Sequence, residues 1–292
     1  MAYSIDDLRE AMGHIPPCPD SLTGRGIVLS AGGKWLARAY LCVRSFREAG
    51  CALPVQLWHI GPQEMPRAFR PVFERLGVEL VDSLEVRPNQ PFGVVAGWQN
   101  KPFALVHSKF EEVLFLDADN FCLRNPEFLF DEPRYQASGC AFWPDFEGKA
   151  GDVACIKPFA WEFLELPPQP VGIELESGQI VLNKRKSWEP LQIVLHMNIH
   201  ADFYYNRCTY GDKDTFLLAW MVMSRERFVI PHRPRMLEPK YEIRVQHAPD
   251  GSELFQHGRK WNLPAYDNPH MRRTFMEDEC LDWLAELEHA LA

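Results

Sequence analysis

The stretch that decides the fold is Phe115-Leu116-Asp117-Ala118-Asp119-Asn120, in which an apolar run ends in two carboxylates one residue apart. Residues 113–116 are all apolar and predict a buried strand. Alternate side chains of an extended chain point the same way, so the carboxylates share one side, with Cα atoms roughly 6–7 Å apart. Like charges this close repel unless a cation lies between them, and these oxygen ligands suit Mg²⁺ or Mn²⁺. The alternative interpretation is a solvated turn after a strand.

Upstream of this stretch, strands and helices alternate along the chain. The pattern predicts strands at residues 26–30, 54–61 and 78–81, and helices at residues 34–49, 69–76 and 103–110. Gly50 and Gly77 stand where helices end, and Pro102 stands where one begins. This alternation implies parallel strands joined by right-handed crossovers. Ligands of such sheets bind beyond the carboxyl ends of the strands.

The second half of the chain is less regular. It predicts strands at residues 138–143 and 178–183, helices at residues 187–198 and 214–223, and a loop at residues 231–239. A final helix begins at Glu277 with an acidic first turn, which suits the helix dipole. We therefore predict one α/β domain at residues 25–292 after a lead-in at residues 1–24.

Composition excludes several classes of protein. The 292 residues are 46% hydrophobic, which is enough for a core and excludes disorder. The net charge of −9 makes the chain a poor partner for nucleic acid. No apolar run reaches the length of a membrane span, and the first ten residues do not resemble a signal peptide. Eight cysteines without a Cys-x-x-Cys pair predict free, buried thiols in a reducing compartment.

Two further segments carry residues suited to phosphate or metal binding. Ser30-Ala31-Gly32-Gly33 precedes a helix, so its backbone N–H groups and the helix N-terminus favour a phosphate; a tight turn that needs glycine is the alternative. The segment at residues 255–261 places an imidazole, a glycine and two cations in one predicted loop: His257, Gly258, Arg259 and Lys260. The imidazole can ligate a metal and the cations can neutralise phosphate oxygens, the alternative being an exposed basic loop.

Two acidic segments, two histidines and several tryptophans give less specific indications of function. Residues 174–179 and 210–216 place carboxylates and amides beside apolar elements; Asp214 has the alternative role of an N-cap, and Glu176 that of a solvated turn residue. His196 and His200 have zinc-ligand spacing but lack the usual glutamate, so a partly buried helix face is the preferred interpretation. Tryptophans are candidates for the core or for stacking on sugars, and these are Trp98, Trp143, Trp161, Trp188, Trp220 and Trp261.

Taken in order, these segments resemble glycosyltransferase family 71, which includes the fungal α-1,2- and α-1,3-mannosyltransferases. The matching stretches are residues 26–33, 53–59, 101–105, 110–120, 176–181, 198–205 and 211–216. The resemblance runs from about residue 24 to about residue 261. The segment at His257 also looks like the His-x-x-Gly-x-x-Lys element of glycogenin-like transferases, where the histidine completes the metal site and the lysine holds diphosphate. Its spacing here is tighter, since Gly258 follows His257 directly.

The resemblance implies a GT-A fold, a single αβα sandwich with a mostly parallel central sheet. Residues 25–125 would form the nucleotide-binding half, and residues 126–292 the acceptor-side half with the C-terminal helix. It implies a retaining, metal-dependent hexosyltransferase that moves mannose or another hexose from a GDP- or UDP-linked sugar, giving an α-linkage. Mn²⁺ or Mg²⁺ would be held by Asp117, Asp119 and His257.

The resemblance also suggests roles for other residues. The nucleotide diphosphate would contact Ser30, Ala31, Gly32, Gly33, Lys34, Lys101, Asp117, Gly258, Arg259 and Lys260. Asp212 and Asp214 would bind sugar hydroxyls or lie near the anomeric carbon, and Glu176 and Gln179 would orient donor or acceptor.

The fungal members carry an N-terminal membrane anchor, and this sequence opens without one. We therefore expect a cytoplasmic, bacterial enzyme of surface-polysaccharide synthesis acting on a glycan or glycolipid. Basic residues at Arg233, Arg235, Arg272 and Arg273 are candidates for peripheral contact with the inner face of the membrane. Two alternatives remain from other classes: a metal-dependent nucleotide-sugar phosphohydrolase, and a non-catalytic glycan-binding module.

Overall fold

The computed structural model describes residues 3–86, 97–145, 156–168, 174–238, 243–258 and 275–292. Its strands are β1 Arg25–Ser30, β2 Val55–His59, β3 Val78–Asp82, β4 Glu112–Asp117, β5 Asn120–Cys122, β6 Cys140–Pro144, β7 Leu175–Asn183, β8 Phe228–Val229, β9 Arg235–Glu238, β10 Ile243–His247 and β11 Glu253–His257. Its α-helices are α1 Ile5–Gly13, α2 Leu36–Glu48, α3 Arg70–Arg75, α4 Asn100–His107, α5 Pro133–Ser138, α6 Pro158–Phe163, α7 Trp188–Ile199, α8 Ala201–Arg207, α9 Lys213–Val222 and α10 Glu277–Leu291.

The larger sheet has the order β3-β2-β1-β4-β7-β6-β8. Its pairs are parallel except where β7 meets β4 and β6, because β7 runs in the opposite direction. The alternation of β1 to β4 with helices α2, α3 and α4 agrees with the sequence pattern. The predicted α/β architecture with a mostly parallel sheet is confirmed.

Helices cover both faces of this sheet. Ile27 of β1 packs in a cluster that includes α2 and α10, whereas its neighbour Val28 packs in a second cluster that includes α4, α7 and α9. Successive strand residues therefore feed two separate apolar layers, as the period of a strand requires. The predicted helix end at Gly50 is also confirmed: its φ is +84°, and its N–H donates to the carbonyl oxygen of Arg47.

A second, antiparallel sheet has the order β5-β11-β10-β9 and is absent from the sequence interpretation. Residues 231–239 were predicted as a loop, which is wrong, because β9 lies within them. His257 was predicted in a loop, but it is the last residue of β11. These strands are only three to five residues long, and short alternating runs carry a weak signal in the sequence.

Smaller differences concern where elements begin. Helix α4 begins at Asn100, so Pro102 lies within its first turn. Strand β7 begins at Leu175, so the interpretation of Glu176 as a solvated turn residue is wrong: the residue is buried in a strand. Ser138 ends α5 and does not open β6. Seven cysteines in the described ranges have free thiols, as predicted.

Candidate active site

A cavity of about 600 Å³ lies at the carboxyl ends of β1 and β4. Ser30 and Asp117 end these two strands and are register partners in the parallel pair. Residues from both helical layers of the protein line the cavity, including Trp35 beside α2 and Asp214 in α9. The position agrees with the expectation for a parallel sheet, whose ligands bind beyond the strand ends.

Pairing between two distant strands brings a histidine to the predicted aspartates. In the antiparallel pair of β5 and β11, Asn120 is the register partner of His257. His257 Nε2 therefore lies 3.4 Å from Asp119 Oδ1, and the Gly258 N–H donates to the Asp119 carbonyl oxygen at 3.1 Å. One ligand atom from each of Asp117, Asp119 and His257 lies within 4.8 Å of the others.

These three residues fit a divalent cation. Two carboxylate oxygens and one imidazole nitrogen form a donor set typical of Mn²⁺ or Mg²⁺ sites. His257 Nδ1 faces Glu176 Oε2 at 3.9 Å, so a carboxylate stands behind the imidazole on the side away from Asp119. At this distance the carboxylate acts through its charge, because His257 Nδ1 has no hydrogen-bond partner among the described residues.

The charges of this cluster depend on one another. Burial raises the pKa of Asp117 to about 6, although Lys101 opposes the effect. Burial also acts to raise the pKa of Asp119, but the charge of His257 and its hydrogen bond outweigh burial and hold that pKa below its usual value. Burial acts to lower the pKa of His257, and Asp119 and Glu176 reverse the effect, so the pKa is raised.

A glycine makes room for the imidazole. A Cβ atom on Gly178 would stand 2.5 Å from His257 Cε1, closer than any real Cβ contact. Glu176 is fixed at the same place, since its Oε1 accepts from the N–H groups of Ser177 and Gly178 at 2.9 Å each. The segment 176–178 therefore positions the ring from behind.

Lys101 lies between two carboxylates. Its Nζ is 3.1 Å from Asp117 Oδ1 and 3.1 Å from Asp212 Oδ2. It also donates to Ser177 Oγ at 2.8 Å and to the Ser177 carbonyl oxygen at 3.0 Å. Burial acts to lower its pKa, but Asp117, Asp212 and Glu176 outweigh burial and raise the pKa, so the amine is charged.

Asp214 differs from the other carboxylates of the cavity. Burial raises its pKa to about 7, and neither of its carboxylate oxygens has a hydrogen-bond partner among the described residues. Lys213 Nζ lies 3.9 Å from Asp214 Oδ1. The alternative role of Asp214 as an N-cap is wrong, because the residue preceding α9 is Asp212 and Asp214 lies inside the helix.

The model of a family described as "Mannosyltransferase putative" matches residues 24–168 and 161–239, more than half of the chain. The chain belongs to this mannosyltransferase family. It is 26% identical over 237 residues to the α-1,2-mannosyltransferase MNN2 of Saccharomyces cerevisiae, covering 67% of this chain and 40% of that protein. It is 27% identical over 315 residues to the α-1,2-mannosyltransferase MNN26 of Candida albicans, covering 88% of this chain and 40% of that one. This family member thus spans about 40% of the length of these curated relatives.

Solved structures show the fold of this family member. The galactosyltransferase LgtC, crystallised with donor and acceptor sugar analogs, superposes with a TM-score of 0.54 at 13% identity, over 89% of this chain and 95% of that one. The apo bifunctional glycosyltransferase WbbM gives a TM-score of 0.51 at 15% identity, over 74% of this chain and 40% of that one. Both are GT-A glycosyltransferases, so the GT-A fold implied by the resemblance is confirmed.

Most residues predicted for the site line the cavity of this mannosyltransferase-family chain. They are Ser30, Ala31, Gly32, Lys101, Asp117, Asp119, Glu176, Asp212, Asp214, His257 and Gly258. Gly32 lies against Glu64, where a Cβ would stand 2.3 Å from Oε2, and Gly33 has a φ of +54°. The segment therefore borders the cavity and forms a tight turn that needs glycine. The N–H groups of Ala31 and Gly33 donate to the carbonyl oxygens of Trp58 and Glu64, so phosphate binding by this segment stays a prediction.

Other predicted residues lie elsewhere. Gly33 and Lys34 are exposed and are not part of the cavity wall, and the Lys34 ammonium lies 5.6 Å from the centre of the Trp35 ring. Gln179 is buried behind the cavity and accepts from Asn120 Nδ2 at 2.7 Å. Five predicted residues fall outside the described ranges: Arg259, Lys260, Trp261, Arg272 and Arg273.

The histidine pair on α7 is structural. His196 Nε2 lies 2.7 Å from the Tyr3 hydroxyl, and burial lowers the pKa of His196 to about 4. The interpretation as a partly buried helix face is confirmed. Exposed Arg235 pairs with Glu253, and Arg233 donates to the Asp145 carbonyl oxygen at 3.4 Å. Within the described ranges, no helix is both long and apolar enough to span a membrane.

The sequence interpretation assigned no role to several residues of the cavity wall: Trp35, Asp145, Tyr210, Lys213 and Arg244. It named Trp98 only as a candidate for the core or for stacking on sugars, and it missed Arg38, which lies beside Asp119. Arg38 is buried, its guanidinium lies 4.5 Å from the centre of the Trp35 ring, and its Nη1 is 4.0 Å from Asp119 Oδ2. A lone arginine inside the apolar start of α2 was the available signal for it. Arg244 had no such signal, since it lies on β10, which was not predicted.

Proposed function

We propose that this family member is a metal-dependent, retaining glycosyltransferase that moves a hexose from a nucleoside-diphosphate sugar to a glycan or glycolipid acceptor. The carrying observation is the group of Asp117, Asp119 and His257 at the strand ends of a cavity large enough for a nucleotide sugar. The names of the fungal relatives, α-1,2-mannosyltransferases, support mannose as the transferred hexose.

A divalent ion held by these three residues would neutralise the charge that develops on the departing diphosphate. Glu176 lies 3.9 Å behind the His257 imidazole, and its negative charge would favour the orientation that presents Nε2 to Asp119. Arg38, next to Asp119 and stacked on Trp35, adds a fixed positive charge where phosphate oxygens would approach.

The carboxylates on the other side of the cavity would bind the sugar. Both oxygens of Asp214 are buried and lack hydrogen-bond partners in the described structure, so sugar hydroxyls that reached this carboxyl group would satisfy them. Asp212 is already engaged by Lys101 and Ser177, and Glu176 accepts two backbone N–H groups. Carboxylates held in this way are poor nucleophiles. This favours retention by attack from the leaving-group face over a covalent intermediate.

A thermal-shift panel of GDP- and UDP-linked sugars, each with Mn²⁺ and with EDTA, tests the proposal. A ligand at ~100 times its Kd stabilises the fold by about 2.7 kcal/mol, so the true donor is recognisable. We expect one donor to stabilise the protein in Mn²⁺ only. Equal stabilisation in EDTA contradicts metal dependence. Cleavage of the nucleotide sugar is measured separately, and a rate that does not rise with acceptor indicates a phosphohydrolase. Saccharide binding with no response to any nucleotide sugar indicates a glycan-binding module.

A further inference from the structure

Two large aromatic side chains at the cavity are exposed to solvent. Trp98 is 51% exposed and Tyr210 is 74% exposed, and both belong to the cavity wall. By contrast, Trp143 and Trp220 are fully buried in the core. The sequence could not separate core tryptophans from sugar-stacking ones, and exposure now distinguishes Trp98. Clustered exposed aromatic surface at the edge of a cavity is typical of a ligand-binding surface.

The Trp98 ring is held in place from behind. Its centre lies 6.0 Å from that of Tyr210 and 6.2 Å from that of Tyr205. The Tyr205 hydroxyl donates to Asn198, which anchors that ring to α7. Gly211 permits the packing, since a Cβ there would stand 3.0 Å from Trp98 Cε3. The indole is thus supported by protein on one part of its surface, while half of it stays open to solvent.

Trp98 and Tyr210 also come from a different helical layer than Trp35 and Arg38, the aromatic ring and the cation next to Asp119. Trp35 and Arg38 come from the helical layer that contains α2. Trp98 precedes α4 and Tyr210 precedes α9, and both of these helices belong to the layer on the other face of the sheet. The metal-ligand group lies at the strand ends between the two layers. The cavity therefore has two aromatic walls, and a donor that uses one leaves the other for a second substrate.

We propose that Trp98 and Tyr210 form the acceptor subsite, in which the apolar C–H face of a mannopyranose ring stacks on the exposed indole. A pyranose combines an apolar face with a rim of hydroxyl groups, which matches an aromatic surface in the same cavity wall as the Asp212 carboxylate. The inference rests on the proposed glycosyltransferase function, because it assigns the second substrate of that reaction.

Saturation-transfer NMR on the full chain tests the subsite without nucleotide or metal. The probes are methyl α-D-mannopyranoside and α-linked mannobiose, and the variants are Trp98→Ala, Trp98→Phe and Tyr210→Ala. We expect Trp98→Ala to weaken mannobiose binding at least fivefold and Trp98→Phe to retain most of it. Tyr210→Ala should have a smaller effect than Trp98→Ala. The matched control is Phe128→Ala, an exposed aromatic outside the cavity wall, which should bind like the wild type.

The inference is overturned if the wild type binds neither mannoside, or if Trp98→Ala binds as well as the wild type. The nucleotide-sugar thermal shift in Mn²⁺ is measured on the same variants. Its retention in Trp98→Ala shows that the variant is folded and that the donor site is intact. A wild type that binds mannobiose through Trp98 but responds to no nucleotide sugar would contradict the proposed function and leave the glycan subsite standing.

Discussion

A buried lysine lies at each end of α4: Lys101 belongs to the helix, and Lys184 contacts its C-terminal end from another segment. The two lysines differ in whether carboxylates surround them. At the N-terminal end, Lys101 lies 3.1 Å from Asp117 and 3.1 Å from Asp212, which raise its pKa. At the C-terminal end, Lys184 donates to the carbonyl oxygens of Val106 and Ser108 at 3.0 and 2.6 Å. In the part of the chain that the structure describes, no carboxylate pairs with Lys184, and burial lowers its pKa to about 7.

The difference shows how the fold accommodates buried carboxylates at the candidate active site. Lys184 closes the last turn of a helix with uncharged acceptors, a structural role typical of lysine. The positive charge of Lys101 offsets the free-energy penalty of burying the negatively charged carboxylates of Asp117 and Asp212. The acidic cluster at the strand ends is thus held in the protein by a matching cation, and it stays available for a ligand on its cavity side.

The largest effect is expected at the metal ligands. Asp119→Ala should lower metal-dependent hexose transfer by a factor of about 10³ or more, since it removes a ligand of the ion that stabilises the leaving group. Transfer is measured with the donor found in the thermal-shift panel, and Mn²⁺ binding by calorimetry. Asp131→Ala, at an exposed carboxylate that pairs with Arg25, is the control and should leave both unchanged. Full activity in Asp119→Ala would refute the metal model.

Substitution of each lysine by methionine tests the comparison, because the two variants should lose different amounts of stability. Lys101→Met leaves Asp117 and Asp212 without their buried cation and should destabilise the protein by about 3–5 kcal/mol. Lys184→Met removes hydrogen bonds to uncharged acceptors but also removes a buried amine, so we expect a loss of about 1–2 kcal/mol. Urea unfolding measures both. Equal losses would show that the carboxylates near Lys101 do not set its role.

A glycine substitution sharpens the description of the strand-end site. Gly178→Ala places a methyl group 2.5 Å from His257 Cε1, so the imidazole must shift. We expect Mn²⁺ affinity to fall about tenfold, together with a stability loss of about 1–3 kcal/mol from overpacking. Gly13→Ala, where nothing lies within 4 Å of the added atom, is the matched control. Unchanged Mn²⁺ affinity in Gly178→Ala would mean that His257 does not ligate the ion.

The last prediction concerns pH, and its effect is the smallest only when it is expressed per pH unit. Burial lowers the pKa of folded Lys184 from 10.5 to about 7, so between these values the unfolded chain holds a proton that the folded chain lacks. The free energy of unfolding should therefore rise with pH from 7 to 10, by at most about 1.4 kcal/mol per pH unit. The measurement is the difference between the wild type and Lys184→Met, in which shared titrations cancel. The control is Lys186→Met at an exposed lysine, where the free energy of unfolding should change with pH as in the wild type. If it also does so in Lys184→Met, the environment assigned to Lys184 is wrong.

Local pattern was sufficient to predict much of the fold. The alternation of apolar strands with helices up to β4 depends on residues close in the chain, and so does the end of α2 at Gly50. The short strands of the second sheet were missed because three to five residues have little periodicity of their own. They form because they pair with one another across long stretches of chain.

The sequence by itself determined that two carboxylates one residue apart follow the buried run of β4. The expectation that the period of a strand relates their side chains was wrong, because β4 ends at Asp117 and Asp119 lies in the turn before β5. The resemblance added His257 as their partner. Only the tertiary structure decided that β5 and β11 pair, which sets His257 3.4 Å from Asp119 with Glu176 behind it. The tertiary structure likewise decided that Trp98 is exposed. Contacts between distant segments depend on the packing of the whole chain, and local spacing does not encode that packing.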